Sequence, residues 1–162
     1  MPTAVFIGGG RNNIVRNNIF INCPTALYMD DRGRENVKWN TDGMDDWDLE
    51  AKLKAVNYQQ QPWSVRYPQL VGIMKDRPEW PLHNEACRNV IAGGAGFVMK
   101  EELKTLFKAE DNWFTNEDPA ADNIDWTRID LPLRTLQAIW LRIPTFEEIP
   151  SRLIGRQYDF GK

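Results

Sequence analysis

The sequence predicts a mainly β fold in which very short strands stack as the coils of a parallel solenoid. Residues 3–31 contain apolar runs of about four residues, separated by turns rich in Gly and Asn. Runs this close together leave no room for crossover helices, so either a meander of short hairpins or the successive faces of a parallel coil remains. The pattern of residues 11–22 is repeated imperfectly at 83–94. Both segments contain Asn, then a pair of small apolar residues, then Arg-Asn, and then an apolar run. Repetition of this kind favours the solenoid.

We expect residues 1–162 to form a single, partial solenoid domain that has four regions. The order is a first coil at 1–33, a helical insertion at 34–82, further coils at 83–122 and a C-terminal cap or tail at 123–162. In the insertion, Asp45-Asp46 is expected to cap a helix that runs to Val56, and Pro68 to start a second short helix.

The second half of the chain combines further coils with helical stretches. Leu103, Leu106 and Phe107 predict a helix by their spacing, and residues 111–116 begin a third, weaker copy of the repeat. Further apolar residues recur at helical spacing in the tail, at Leu133, Leu136, Ile139 and Trp140. We interpret this tail stretch as a packing face or an end cap rather than as a cofactor site.

Composition excludes several classes of protein. The chain has 162 residues, of which 42% are apolar, and a net charge of −3, which does not suggest a nucleic-acid-binding protein. Two cysteines, Cys23 and Cys87, exclude a disulfide framework and a cysteine-rich zinc site. No apolar run approaches the roughly 18–20 residues that cross a bilayer, and the first residues do not have the pattern of a signal peptide.

Two motifs carry a resemblance to a known family. The first covers residues 7–33 and contains Gly8-Gly9-Gly10-Arg11-Asn12-Asn13-Ile14 and, at its end, Asp30-Asp31-Arg32-Gly33. The second is Pro62-Trp63-Ser64-Val65-Arg66-Tyr67-Pro68 in the insertion. Together they resemble the late coils of bacterial right-handed parallel β-helix proteins of the pectate-lyase-like superfamily, and most of all its fucosidase-type glycoside hydrolases. The resemblance is good over residues 5–90 and fair over 91–122.

The resemblance implies a carbohydrate-active protein, the C-terminal portion of a glycoside hydrolase that acts on a polysaccharide. A non-catalytic carbohydrate-binding or structural β-helix segment is the alternative. A polysaccharide lyase is a third reading, although the sequence has no convincing carboxylate cluster for the calcium that such an enzyme would want. Family members are secreted, so the resemblance implies an extracellular or periplasmic location. It implies no cofactor and no metal. We expect no nucleic-acid or membrane partner.

The candidate site residues follow from the two motifs. Asp30 is the candidate catalytic carboxylate, one of the pair that glycoside hydrolysis needs, with the other expected on an earlier coil. Its structural alternative is that Asp30 or Asp31 caps a turn or pairs with Arg32 or Arg34. Substrate binding is assigned to an aromatic and cationic platform, Trp63, Arg66 and Tyr67, together with Arg32. For the platform the alternative is that Trp63 and Tyr67 only fix the insertion to the coil.

Other polar residues favour structural roles. A hydrogen-bonded ladder between coils is expected from the asparagines at positions 13, 17, 18, 84 and 89. His83, the single histidine, is interpreted first as a surface residue and second as a general acid or base. Because an open first coil exposes unpaired backbone groups, we expect self-association through residues 3–8.

Overall fold

The computed structural model describes residues 2–35, 48–118, 121, 124, 126 and 133–149. Within these ranges it contains nine strands: β1 (Thr3–Gly8), β2 (Ile14–Arg16), β3 (Ile19–Ile21), β4 (Thr25–Asp30), β5 (Asn84–Cys87), β6 (Val90–Ala92), β7 (Ala95–Val98), β8 (Phe107–Glu110) and β9 (Trp113–Phe114). All of the pairings between these strands are parallel.

The strands form three sheets of three strands each, in the orders β1-β4-β7, β2-β5-β8 and β3-β6-β9. The chain therefore visits the three sheets in the same order three times, and each visit adds one layer. The repeated segments lie in consecutive layers, since Ile14 pairs with Glu85 and Ile19 with Val90. Parallel pairing of the repeats is thus confirmed, and the arrangement is compatible with a β-helix.

The insertion lies between β4 and β5 and contains short helices. They are α1 (Arg32–Glu35), α2 (Leu49–Ala55), α3 (Trp63–Arg66) and a 3-10 helix (Pro68–Lys75). Asp48 caps α2, because its side chain accepts a hydrogen bond of 2.9 Å from the backbone N–H of Ala51. The expected cap at Asp45-Asp46 lies outside the described residues. With these helices, the fold is of a roughly α/β kind rather than purely mainly β.

One helix expectation in the second half is wrong in detail. Helix α4 covers only Glu101–Lys104, and Phe107 is the first residue of β8. Leu103 and Phe107 are four residues apart, which is also the spacing of one face of a helix. In the structure, however, Leu103 lies on the short helix α4 and packs in the core, and Phe107 begins a strand. The third copy of the repeat is confirmed at β9, where Trp113 pairs with Val90.

Side chains that point into the coil form the core. Ile7, Leu27 and Leu103 belong to one buried cluster, and Phe20 and Ile91 to another. Residues in register on neighbouring strands stack on one another, as Ile7 does on Met29. Val5, half-buried, packs against both clusters. The interior is therefore a continuous apolar stack over three layers.

Asparagine side chains join the layers at two turns. At the first, the backbone N–H and Nδ2 of Asn13 both donate to Oδ1 of Asn84, at 2.9 Å each. At the second, Asn18 donates in the same way to Asn89, and Asn89 to Asn112. The expected ladder is confirmed at positions 13, 18, 84 and 89 and continues to Asn112. Asn17 is the exception, because its side chain instead bonds the backbone of Glu147.

Helix α5 (Leu133–Arg142) covers one side of the coil. Its residue Ile139 packs in a buried cluster with Val90 and Trp113, and Ile19 packs against the same cluster. Neighbouring residues such as Ile91 belong to the interior cluster instead, so α5 lies on the outer face of β3-β6-β9. The tail helix therefore serves as a packing face. No helix in the described part of the chain is long and apolar enough to cross a membrane.

Candidate functional site

The outer face of the sheet β1-β4-β7 carries an exposed aromatic row. Side chains alternate along a strand, so the inward Val5 and Ile7 leave Phe6 on the outer face. Phe6 pairs in register with Tyr28, and Tyr28 with Val98. Phe6 is 49% and Tyr28 37% exposed, so the two side chains form one contiguous exposed apolar surface. The two rings contact each other with centroids 5.5 Å apart and planes inclined at 36°.

An ion pair lies at the end of this row. Arg32 donates from Nε to both oxygens of Asp30, at 3.1 Å each, and from Nη2 to Oδ2 at 2.7 Å. The guanidinium carbon of Arg32 lies 4.5 Å from the centroid of the Phe6 ring, a cation–π distance. The hydrogen bond to Asp30 raises the pKa of Arg32 above its ordinary value. The face thus combines two rings with a carboxylate and a guanidinium.

Gly8 makes room for the ion pair. It is in register with Asp30 on the neighbouring strand. A Cβ atom at this position would lie 3.0 Å from Nε of Arg32, which is tighter than nine in ten real Cβ contacts. The absence of a side chain at Gly8 therefore lets Arg32 lie close against the end of β1. We call the group of Phe6, Tyr28, Asp30 and Arg32 the aromatic–ion-pair face.

A buried carboxylate with two cationic partners lies next to this face in the chain. Asp31 is buried, and its carboxylate receives Nζ of Lys100 at 2.7 Å and Nη1 of Arg34 at 3.1 Å. The hydrogen bond from Lys100 lowers the pKa of Asp31, and Arg34 adds to the effect, while burial acts in the opposite direction. Lys100 follows β7 and Arg34 belongs to α1. Asp31 therefore ties the chain after β4 to the third layer.

The second group of expected site residues lies on and beside α3. The rings of Trp63 and Tyr67 are stacked, with centroids 6.3 Å apart and planes inclined at 21°. Arg66 donates from Nε to the hydroxyl of Tyr67 at 3.1 Å. Both rings are more than a third exposed. The expected platform residues therefore contact one another and face solvent. Within the described residues, no hydrogen bond, ion pair or ring contact joins them to Asp30 or Arg32.

The chemistry of the aromatic–ion-pair face suits binding better than bond cleavage. In the strands β1, β4 and β7, Asp30 is the one carboxylate on the outer face, and its oxygens are engaged by Arg32. Glycoside hydrolysis needs two carboxyl groups on either side of the bond. The pairing of Asp30 with Arg32 matches the structural alternative named from the sequence. Among the described residues, no group of three His, Cys, Asp or Glu side chains lies close enough to hold a metal ion.

Phe6 and Tyr28 were not among the site residues expected from the motifs. The signal for Phe6 was the alternation of inward and outward side chains along β1, where Phe6 stands between the apolar residues Val5 and Ile7. An unbroken apolar run hides which of its members faces outward. Comparison of the chain with protein-family models, with curated proteins and with solved structures finds no match.

Proposed function

We propose that this chain binds carbohydrate through the aromatic–ion-pair face and belongs to a right-handed parallel β-helix of the pectate-lyase-like kind. The observation that carries the binding proposal is the exposed Phe6–Tyr28 pair beside the Asp30–Arg32 ion pair. The right-handed coil is supported by the general rule that connections between parallel strands of one sheet are right-handed. An extracellular or periplasmic location follows as part of the proposal, because polysaccharides are found there.

Sugar rings match both chemistries of the face. Their C–H groups carry partial positive charge and pack on the negative face of an aromatic ring. Their hydroxyl groups both donate and accept, so they bind a carboxylate and a guanidinium that are held side by side. Asp30 and Arg32 hold each other in place, which lowers the entropy cost of ordering them on a ligand. The Trp63–Tyr67 stack with Arg66 offers a second contact region of the same type.

Hydrolysis is the second candidate function. It is favoured by the position of Asp30 at the end of β4, beside exposed rings on which a sugar could stack. Catalysis would require a second carboxyl group on the opposite side of the glycosidic bond. We therefore propose that Asp30 orients a sugar, and that the 162-residue chain binds polysaccharide without turnover.

Affinity gel electrophoresis tests the binding proposal. The chain is run through native gels that contain xyloglucan, arabinogalactan or polygalacturonate, and we expect at least one of the three to retard it. Tyr28→Ala and Phe6→Ala should abolish most of that retardation. Ile14→Ala is the matched control, because Ile14 is an apolar residue 57% exposed on β2, a strand of a different sheet.

The platform on α3 has its own matched pair of variants. Trp63→Ala should reduce the retardation, whereas Val65→Ala, an exposed change on the same helix, should leave it unchanged. Equal migration of the wild type in gels with and without all three polysaccharides would contradict the proposal. So would equal loss of retardation in Tyr28→Ala and Ile14→Ala.

A further inference from the structure

A cleft of about 440 Å³, lined by both charged and apolar side chains, lies on the second sheet, where the end of the insertion returns to the coil. This volume falls in the roughly 300–1,000 Å³ range of small-molecule sites. Asp76 and Arg77 line it from the insertion, His83 from the turn before β5, and Glu85 and Lys108 from β5 and β8. None of these residues belongs to the aromatic–ion-pair face.

Asp76 fixes the single histidine of the chain at the edge of this cleft. His83 Nε2 lies 2.7 Å from Oδ2 of Asp76, and Asp76 also receives the guanidinium of Arg11. These hydrogen bonds, that from His83 first, lower the pKa of Asp76. A neutral imidazole that donates its Nε2 proton to Asp76 presents Nδ1 as an acceptor. Because Arg11 also donates from Nη1 to the backbone carbonyl of Asp76 at 2.9 Å, the carboxylate is held in place.

Charges in the cleft are balanced. Glu85 and Lys108 lie in register on neighbouring strands, and Lys108 Nζ is 4.0 Å from Glu85 and 2.9 Å from Glu110. The lining thus holds two carboxylates, Asp76 and Glu85, and two permanent cations, Arg77 and Lys108. Such a lining has no excess charge with which to attract an anion. It contains both hydrogen-bond donors and acceptors, and hydroxyl groups bind both.

We propose that this cleft is a saccharide site separate from the aromatic–ion-pair face and from the stack on α3, and that it takes a single uncharged glycosyl unit. Its hydroxyl groups bind Glu85, Lys108 and Nδ1 of His83, and its C–H face packs on Leu82 and Leu106, which also line the cleft. The proposal shares its ligand class with the proposed function but rests on different residues. The two sites can therefore fail separately.

The imidazole signals of His83 report on this site directly, because the chain has no other histidine. Methyl α-glucoside, methyl β-galactoside and methyl α-fucoside are titrated separately while the ring resonances are followed by NMR. At least one should move them along a saturating curve in the millimolar range. Glu85→Ala and Lys108→Met should each weaken that binding by at least about tenfold, since each removes a charged hydrogen-bond partner.

Control variants show whether the His83 response comes from the cleft itself. Glu101→Gln removes a carboxylate that is 86% exposed outside the cleft and should leave the affinity unchanged. Tyr28→Ala should also leave it unchanged, even where it abolishes retardation by polysaccharide. Thermal melts of Glu85→Ala and Lys108→Met confirm that both are folded. If Glu85→Ala does not fold, Lys108→Met, which keeps its aliphatic stem, decides alone.

The proposal is overturned if none of the three glycosides gives a saturating shift. It is equally overturned if glucuronate or inorganic phosphate shifts the His83 signals more strongly than the glycosides, because the cleft would then bind anions. Retained glycoside binding in Lys108→Met would also contradict it. If no polysaccharide retards the wild type while a glycoside still shifts its His83 signals, the proposed function alone is overturned.

Discussion

Two adjacent carboxylates at the end of β4 have opposite environments. Asp30 lies on the outer face and pairs with Arg32, whereas Asp31 is buried and pairs with Lys100 and Arg34. The difference follows from the alternation of side chains at a strand end, where successive residues point to opposite sides. One residue is thus available to a ligand, and the next stabilises the fold beneath it.

The lowered pKa of Asp31 predicts how stability depends on pH. A carboxyl group with a lower pKa in the folded state contributes stability that is present above its unfolded pKa, near 3.9, and is lost as the pH falls through the folded value. The free energy of unfolding should therefore fall as the pH is lowered below about 5. Asp31→Asn should lose about 1–3 kcal/mol at pH 7, because it leaves Lys100 and Arg34 without their buried partner.

Urea denaturation between pH 7 and pH 3 measures this effect. The difference between the wild type and Asp31→Asn should shrink as the pH falls, since protonated Asp31 resembles the amide. Part of the pH dependence should survive in the variant, because the pKa of Asp76 is lowered as well. Glu101→Gln should follow the wild type at every pH. A constant difference between Asp31→Asn and the wild type would contradict the assignment.

The asparagine ladder connects the layers at the scale of single turns. Asn89 is fully buried and stands in the middle layer, where it accepts two hydrogen bonds from Asn18 and donates two to Asn112. Its Nδ2 also donates to the backbone carbonyl of Val15 at 2.9 Å. Parallel strands this short contribute few hydrogen bonds of their own. Side-chain bonds at the turns therefore hold the layers in register.

Removal of the middle member of the ladder should be costly. Asn89→Ala leaves buried donors and acceptors of two turns unpaired, and we expect it to lower the free energy of unfolding by about 2–3 kcal/mol. Asn116→Ala is the control, because Asn116 is exposed and makes one long bond of 3.3 Å to Gly94. Its effect should stay within about 0.5 kcal/mol. Equal effects of the two changes in urea melts would show that the ladder does not hold the layers.

At the scale of the whole molecule, β1 and β7 are the edge strands of their sheet in the described residues. Edge strands present unpaired backbone groups to other chains. Self-association through residues 3–8 therefore stays a prediction, although Val5 and Ile7 face the interior and are unsuitable for testing it. Ile14 of β2 is exposed, so a lysine substituted there would place a charge on the outside of the same layer.

Light scattering coupled to gel filtration tests this association. The apparent mass should rise with protein concentration, and Ile14→Lys should reduce the rise. Leu141→Lys is the control, since Leu141 is exposed on α5, away from the strand edges. A constant monomer mass at all concentrations would show that the first layer is covered.

Much of the coil was predictable from local features of the sequence, because Asn and Gly turns recur at most of the points where the chain passes from one sheet to the next. The ladder positions followed from the same repetition. Contacts between distant segments were not predictable: Arg11 bonds Asp76 in the insertion, and α5 packs on Trp113. The aromatic–ion-pair face was half predicted. Its residues Asp30 and Arg32 were identified from their motif. Phe6 and Tyr28 were not, because only the strand register shows that the two rings are neighbours.

Isothermal titration calorimetry of Tyr28→Ala tests the central claim most directly. The titrant is an oligosaccharide prepared from whichever of the three polysaccharides retards the wild type most. We expect measurable binding by the wild type and by Ile14→Ala, and at least about tenfold weaker binding by Tyr28→Ala, because the sugar loses its aromatic surface. Equal affinities of the wild type and Tyr28→Ala would contradict the claim that the outer face of β1-β4-β7 binds carbohydrate.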